Sequence, residues 1–371
     1  MEKNYFIPVA KPDLGGNERK YLNKCISSSW ISSKGEFIDK FEAGFAKFIK
    51  TRYAVSTSNG TTALHLALVA LGIGEKDEVI VPDLTFIASA NAVSYTGAKA
   101  VLVDVERKTW NIDPKKIQQK ISSKTKAIMI VHLYGHPANM DQIIPIAKKN
   151  NLIIIEDAAE AHGAEVKMKQ WSKVGSIGEV GCFSFYGNKI ITTGEGGMVV
   201  TNNRELADKM RMLRDHGQKP DRRYYHEVIG FNYRMTNLQA AIGLAQLERI
   251  DKFIKLKRLI AQFYNKHLKN IPGIILPPQE GWARSVFWMY SILIDKPYPY
   301  TRDQLIYILQ KKNIESRPFF YPLHSLPPYK IKDDFKNSDY LSQHGLNLPS
   351  SVTLTKKDIQ RIAYIIQSLK K

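Results

Sequence analysis

With 371 residues, 44% hydrophobic and 24% charged, the chain is long enough to bury a large core, and its composition excludes disordered and fibrous classes. Its two cysteines, Cys25 and Cys182, are too few for a disulfide framework and lack metal-ligand spacing, so no metal and a reducing compartment are expected. The net charge of +19 permits attraction to phosphates, but the lysines are scattered along amphipathic helices and form no basic arm, so no nucleic-acid partner is expected.

The start, Met1-Glu-Lys-Asn-Tyr, has no apolar run of signal length behind it, and runs such as 152–155 are too short to span a bilayer. A soluble, cytoplasmic protein with no membrane partner is the expectation. The serine-rich stretch 27–33 reads as an ordered loop or short turn. Between residues 50 and 200, short β-branched runs alternate with helical stretches, as in Glu78-Val-Ile-Val-Pro, Ala100-Val-Leu-Val-Asp, Ala127-Ile-Met-Ile-Val-His, Leu152-Ile-Ile-Ile-Glu-Asp and Gly197-Met-Val-Val-Thr. That alternation predicts an α/β fold, and nearly continuous apolar strands predict a mostly parallel sheet covered by helices on both faces. One long helix is expected from Asn237 to about Leu268. After the Pro-rich 271–278 the pattern becomes an isolated strand near 287–294, a helix near 302–312 and a final helix from Lys356, a small α+β lobe. The division expected is a large domain over 1–245, whose N-terminal residues pack on the small one, and a small C-terminal domain over 246–371.

Three segments carry chemistry. In Ser58-Asn-Gly-Thr-Thr-Ala-Leu-His a turn leads into a helix, whose first N–H groups and dipole make an anion site, with the Thr61 or Thr62 hydroxyl as a further donor; taken alone, the motif reads first as a plain N-cap. The strand ending in Glu156-Asp157 delivers a carboxylate where ligands bind in open parallel sheets. Such an acid suits the pyridine nitrogen of pyridoxal phosphate, which must stay protonated to draw electrons, although a helix cap, Mg ligand or nucleotide contact would use the same placement. In Cys182-Phe-Ser-Phe-Tyr-Gly-Asn-Lys189, an apolar strand ends in a Gly-Asn turn that presents a lysine, with Ser184 five residues earlier as a phosphate donor and a glycine-rich approach to the next strand after it. A lysine held beside a cationic ring has a depressed pKa, and only the neutral amine forms a Schiff base.

Together, Ser58-Asn-Gly-Thr-Thr-Ala-Leu, Glu156-Asp-Ala-Ala-Glu-Ala-His-Gly, Ser184-Phe-Tyr-Gly-Asn-Lys and Gly194-Glu-Gly-Gly-Met resemble the DegT-type sugar nucleotide aminotransferases of the aspartate aminotransferase superfamily, fold type I. The resemblance runs almost end to end, from Trp30-Ile-Ser-Ser-Lys-Gly through Gly230-Phe-Asn-Tyr-Arg-Met to Arg317-Pro-Phe-Phe-Tyr-Pro-Leu-His324. It implies a seven-stranded sheet and pyridoxal 5'-phosphate, with pyridoxamine 5'-phosphate as the form between half-reactions. Lys189 would hold the cofactor and move the proton, Asp157 would pair with the ring nitrogen, and Gly60, Thr61 and Ser184 would hold the phosphate. Phe86 would stack on the ring, Glu160 would lie near its hydroxyl, and Asn232 would reach the phosphate of a neighbouring subunit in a homodimer with shared active sites.

For the substrates, the resemblance implies L-glutamate, leaving as 2-oxoglutarate, and a nucleotide-linked keto sugar. The stretch after Ser184 is most similar to the members that aminate the 4-keto carbon of GDP-4-keto-6-deoxymannose; UDP- or dTDP-linked 4-keto-6-deoxyglucose is the alternative, and a non-catalytic regulatory homologue is another. Trp30, Ser33, His162, Tyr321 and His324 would contact sugar or nucleotide, against ordinary packing or, for His162, cofactor contact. Asp83 and Asp104 read as caps, and Glu195 as a structural anchor of its glycine-rich loop.

Overall fold

The computed structural model describes residues 5–219 and 221–369; the first four residues of the chain start lie outside them. Seven strands form one sheet in the order Tyr53–Thr57, Gly197–Thr201, Val180–Ser184, Ile153–Asp157, Thr125–Val131, Glu78–Pro82, Lys99–Val103. All run parallel except Gly197–Thr201, which is antiparallel to both neighbours.

The apolar runs alternate between two cores. Met198, Val200 and Phe183 face the helices Glu36–Ile49 and Asn237–Leu247, whereas Val199 and Cys182 face Gly60–Ala70 and Arg204–Arg214. Both faces are thus sealed, which is why these strands read as unbroken hydrophobic runs instead of alternating ones. Phe41, Phe45, Phe183 and Phe185 interlock under the sheet at centroid distances of 4.9–6.1 Å. Truncating one such ring to alanine costs about 3–5 kcal/mol.

Two expectations are corrected. The long helix is two, Asn237–Leu247 and Ile250–Leu268, interrupted at Glu248 and Arg249. No Gly or Pro marks the break; tertiary contacts impose it, with Glu248 accepting from Asn17 and Tyr21, and Arg249 pairing with Asp13 at 2.8 Å. The strand Tyr290–Ile294 is not isolated but sits in a four-stranded antiparallel sheet with Ile274–Ile275, Gly345–Leu348 and Arg317–Pro318. The helices Arg302–Lys311 and Lys356–Ser368 flank it, and Ile7 bridges to Ile314. In the serine-rich stretch, Ser27 and Ser28 finish the helix Glu18–Ser28, and the chain turns at Ser29 with φ 62°. No helix among the described residues is long and apolar enough to cross a membrane.

Candidate active site

Parallel strands deliver Asp83, His132, Asp157 and Ser184 to one end of the sheet, the end where open parallel sheets bind ligands. Beside Ser184 begins the helix Gly60–Ala70. Asn59 caps it in a reciprocal box with Thr62, accepting from the Thr62 N–H at 2.9 Å while its own N–H donates to the Thr62 hydroxyl at 3.1 Å. The cap reading therefore holds, and it occupies the Thr62 hydroxyl. What remains at the helix start are the Gly60 and Thr61 N–H groups, the Thr61 hydroxyl and Ser184. A Cβ on Gly60 would stand 2.7 Å from Ser184 Cβ, so only glycine lets this helix start close on the strand end.

Asp157 is buried at the next strand end. Its Oδ2 accepts from the Ser89 hydroxyl at 2.7 Å and its Oδ1 from the Ala159 N–H at 3.2 Å. Burial raises its pKa against the pull of Ser89, so a cation placed against it would return it to the carboxylate. Ser89 in turn lies 3.2 Å from the Thr85 hydroxyl, and Phe86, next in the chain, is 54% exposed.

Lys189 closes the turn 186–189 by donating its N–H to the Tyr186 carbonyl at 2.9 Å. Its Nζ stands 3.8 Å from Glu160 Oε1 and 3.8 Å from the centre of the Trp288 ring. Burial holds the amine below its ordinary pKa, opposed first by Glu160 and then by Asp157. Burial also pushes Glu160 up to about 7; its second oxygen accepts from the Tyr134 N–H at 2.8 Å. Tyr134 stacks on Trp288 and on Phe320, and Phe320 meets Phe86 at 5.7 Å, so an aromatic wall runs from the lysine to the exposed ring. Ser89, Tyr134, Trp288 and Phe320 went unnoticed in the sequence. Ser89 left a signal one helical turn beyond Thr85, and Phe320 lies inside the motif 317–324.

The remaining candidates make other contacts. His162 is fully enclosed by Phe45, Phe183 and Phe185, so its ring offers no surface to a substrate and the contact expected of it is not found. His324 donates its N–H to Asp83 and pairs its Nδ1 with the same carboxylate at 2.8 Å, stacking on Phe335. Asp83 is therefore a histidine partner, while Asp104 does act as a cap, accepting from Asn337 and Ser338 at the start of the helix Lys336–His344. Trp30 is exposed, and its carbonyl accepts from Asn237 at 2.6 Å; Ser33 is half-buried in the same loop, and Tyr321 is exposed. Asn232 is exposed and accepts from Arg234; the next residue, Tyr233, accepts from the Ser58 N–H, which brings this segment beside the helix start. Glu195 anchors its loop through its backbone carbonyl, which accepts from Thr193 and Gln239.

A helix start with free N–H groups beside Ser184, a buried carboxylate, an exposed phenylalanine and a buried lysine fit pyridoxal phosphate at its phosphate, its nitrogen, its face and its aldehyde. Among the described residues no cluster of three or more His, Cys, Asp or Glu could hold a metal. Known proteins of similar sequence and fold point to the same cofactor. A GDP-perosamine synthase of Caulobacter vibrioides is 51% identical over 359 residues, 96% of each chain, and one of Escherichia coli O157:H7 is 49% identical over 98% of each. Spr1654 of Streptococcus pneumoniae, solved in a PLP form, matches with TM-score 0.92 at 26% identity over 99% of each chain. DesV of S. venezuelae matches with TM-score 0.90 at 33% identity, over 96% of this chain and 94% of that one. Residues 12–367 match the family model itself, so the chain belongs to the DegT/DnrJ/EryC1/StrS aminotransferase family, and its cofactor is pyridoxal phosphate.

Proposed function

We propose that this enzyme moves the amino group of L-glutamate onto the 4-keto carbon of GDP-4-keto-6-deoxy-D-mannose, giving GDP-perosamine and 2-oxoglutarate. The observation that carries the reading is full-length identity of 51%, 49% and 46% to three relatives, from Caulobacter vibrioides, Escherichia coli O157:H7 and Vibrio cholerae, each named GDP-perosamine synthase.

Pyridoxal phosphate, when bound, supplies the electron sink that makes the α-proton of glutamate removable. The chain's own residues do the rest. Gly60, Thr61 and Ser184 would hold the phosphate by N–H and hydroxyl donors, Phe86 would cover the ring face, and Asp157 would keep the ring nitrogen protonated. Lys189 anchors the cofactor and then works as acid and base: its neutral amine takes the α-proton of glutamate, and its ammonium later delivers a proton to C4 of the sugar. Because that delivery comes from one side, Lys189 sets the new stereocentre. Glu160, 3.8 Å away, steadies the ammonium between the two transfers. Trp30, Ser33, Tyr321 and His324 line the approach for sugar and nucleotide; His162 belongs to the packing beneath.

The enzyme works as a cytoplasmic homodimer in which Asn232 reaches the neighbouring subunit's phosphate. In support, the segment before it is almost wholly exposed and carries apolar side chains, with Ile229 at 93% and Tyr224 at 74% exposure. Side chains of that kind on a surface call for a partner. Sedimentation giving a monomer would sink the shared site.

The deciding experiment offers GDP-, UDP- and dTDP-linked 4-keto-6-deoxy sugars with glutamate and weighs the products. Amination of the GDP-linked sugar is expected. Preference for a UDP- or dTDP-linked sugar would overturn the substrate, and amination of none would overturn the enzyme reading.

A further inference from the structure

Trp288 belongs to the C-terminal part of the chain, yet it grips the lysine turn at two points. The centre of its ring lies 3.8 Å from Lys189 Nζ, and its indole N–H donates to the Asn188 carbonyl at 2.8 Å. It is itself held at its backbone, whose carbonyl accepts from Lys257 Nζ at 2.6 Å. Lys257 is buried, donates also to the Ser350 carbonyl at 2.5 Å, and has no acidic partner among the described residues. Burial lowers Lys257 to about 7, so the amine sheds its charge near neutral pH and donates to both carbonyls without needing a counter-charge. A tryptophan face attracts a cation most strongly where water is excluded, which is the situation of Lys189.

We propose that Trp288 is a positioning residue for Lys189: its ring face steadies the protonated amine, its indole N–H fixes the turn 186–189, and Lys257 anchors its backbone. The inference rests on Lys189 being the cofactor lysine. The ring face opposes the effect of burial, so the amine keeps enough proton affinity to act as an acid after acting as a base. The other charged or titratable groups around Lys189 are Glu160 at 3.8 Å, Asp157 and His162, with Lys11, Asp13 and Lys257 lining the small cavity beside it. None of these groups is itself replaced in a Trp288 variant.

The test is competitive labelling of the full-length, cofactor-free protein with acetic anhydride from neutral to alkaline pH, read at the Lys189 peptide by mass. Trp288→Leu removes both grips and is expected to lower the pH midpoint of Lys189 by about one unit, about tenfold more neutral amine at a given pH. Trp288→Phe keeps a ring face and loses the N–H, so the midpoint should stay near the parent's while the plateau rate rises as the turn loosens. An unchanged midpoint in Trp288→Leu overturns the platform. If that variant does not fold, Trp288→Phe decides alone, since an unchanged plateau overturns the clamp. Added pyridoxal phosphate should shield Lys189 in the parent; lack of shielding would instead overturn Lys189 as the cofactor lysine, a distinct result.

Discussion

Lys189 Nζ and Glu160 Oε1 stand 3.8 Å apart with both side chains nearly closed to solvent, and burial acts on them in opposite senses. It lowers the lysine and raises the carboxyl from its ordinary 4.5 to about 7. Because Glu160 is raised in the folded state, its contribution to stability is complete below the ordinary value and is lost as pH climbs through about 7. Glu160→Gln cannot ionise. Melting the cofactor-free protein across that window should therefore show the variant gaining on the parent as pH rises; a constant difference would mean that Glu160 is not strained by ionisation.

Asp157 and Ser89 make the second prediction. The Ser89 hydroxyl donates to Asp157 at 2.7 Å, and such a bond to a charged group contributes about 1.5–3 kcal/mol. Ser89→Ala should weaken cofactor retention and slow transamination by about ten- to hundredfold, because burial then raises Asp157 further and its hold on the ring nitrogen loosens. Asp157→Asn should cost more than Ser89→Ala. Cofactor titration followed by absorbance orders the two, and the reverse order would remove Asp157 from the nitrogen.

Gly60→Ala tests the phosphate corner, since the new methyl would lie 2.7 Å from Ser184 Cβ and force the helix start off the strand end. Overpacking of this kind costs about 1–3 kcal/mol in stability. The larger effect should fall on the cofactor, with pyridoxal phosphate lost on dialysis at least about tenfold more readily, as expected when two backbone donors move away. Retention equal to the parent's would place the phosphate elsewhere.

Much of this site was legible because its parts sit on strand ends. Asp157 and Lys189 each follow an apolar run that the two-sided sheet demands, and Gly60 follows a turn that the helix start demands. What stayed hidden is whatever tertiary packing alone decides. Trp288 reaches Lys189 across about a hundred residues of chain, and nothing local distinguishes it from another core aromatic. The break at Glu248 and Arg249 is written in Asp13, Asn17 and Tyr21, more than two hundred residues earlier. The C-terminal sheet hid for another reason: two of its strands are two residues long, below any periodicity.

His162 shows the same limit from the other side, because its place in the motif after Asp157 reads as functional while its ring lies among three phenylalanines. Phe183 and Phe185 approach it at centroid distances of 5.3 and 5.6 Å, and Phe45 at 6.3 Å. Neither ring nitrogen makes a hydrogen bond of ordinary geometry, although the Ser184 backbone lies close. Burial drives its pKa from 6.5 down to about 3, so the folded protein holds the neutral ring. The sign is opposite to that of Glu160: the contribution is complete above 6.5 and is lost as pH falls toward 3. His162→Phe removes that loss while keeping a ring in the cage. Its melting temperature should therefore gain on the parent's steadily below pH 6.5, with transamination at neutral pH kept within about twofold, as for a substitution that touches no reacting group. A large fall in activity at unchanged stability would return His162 to the substrate.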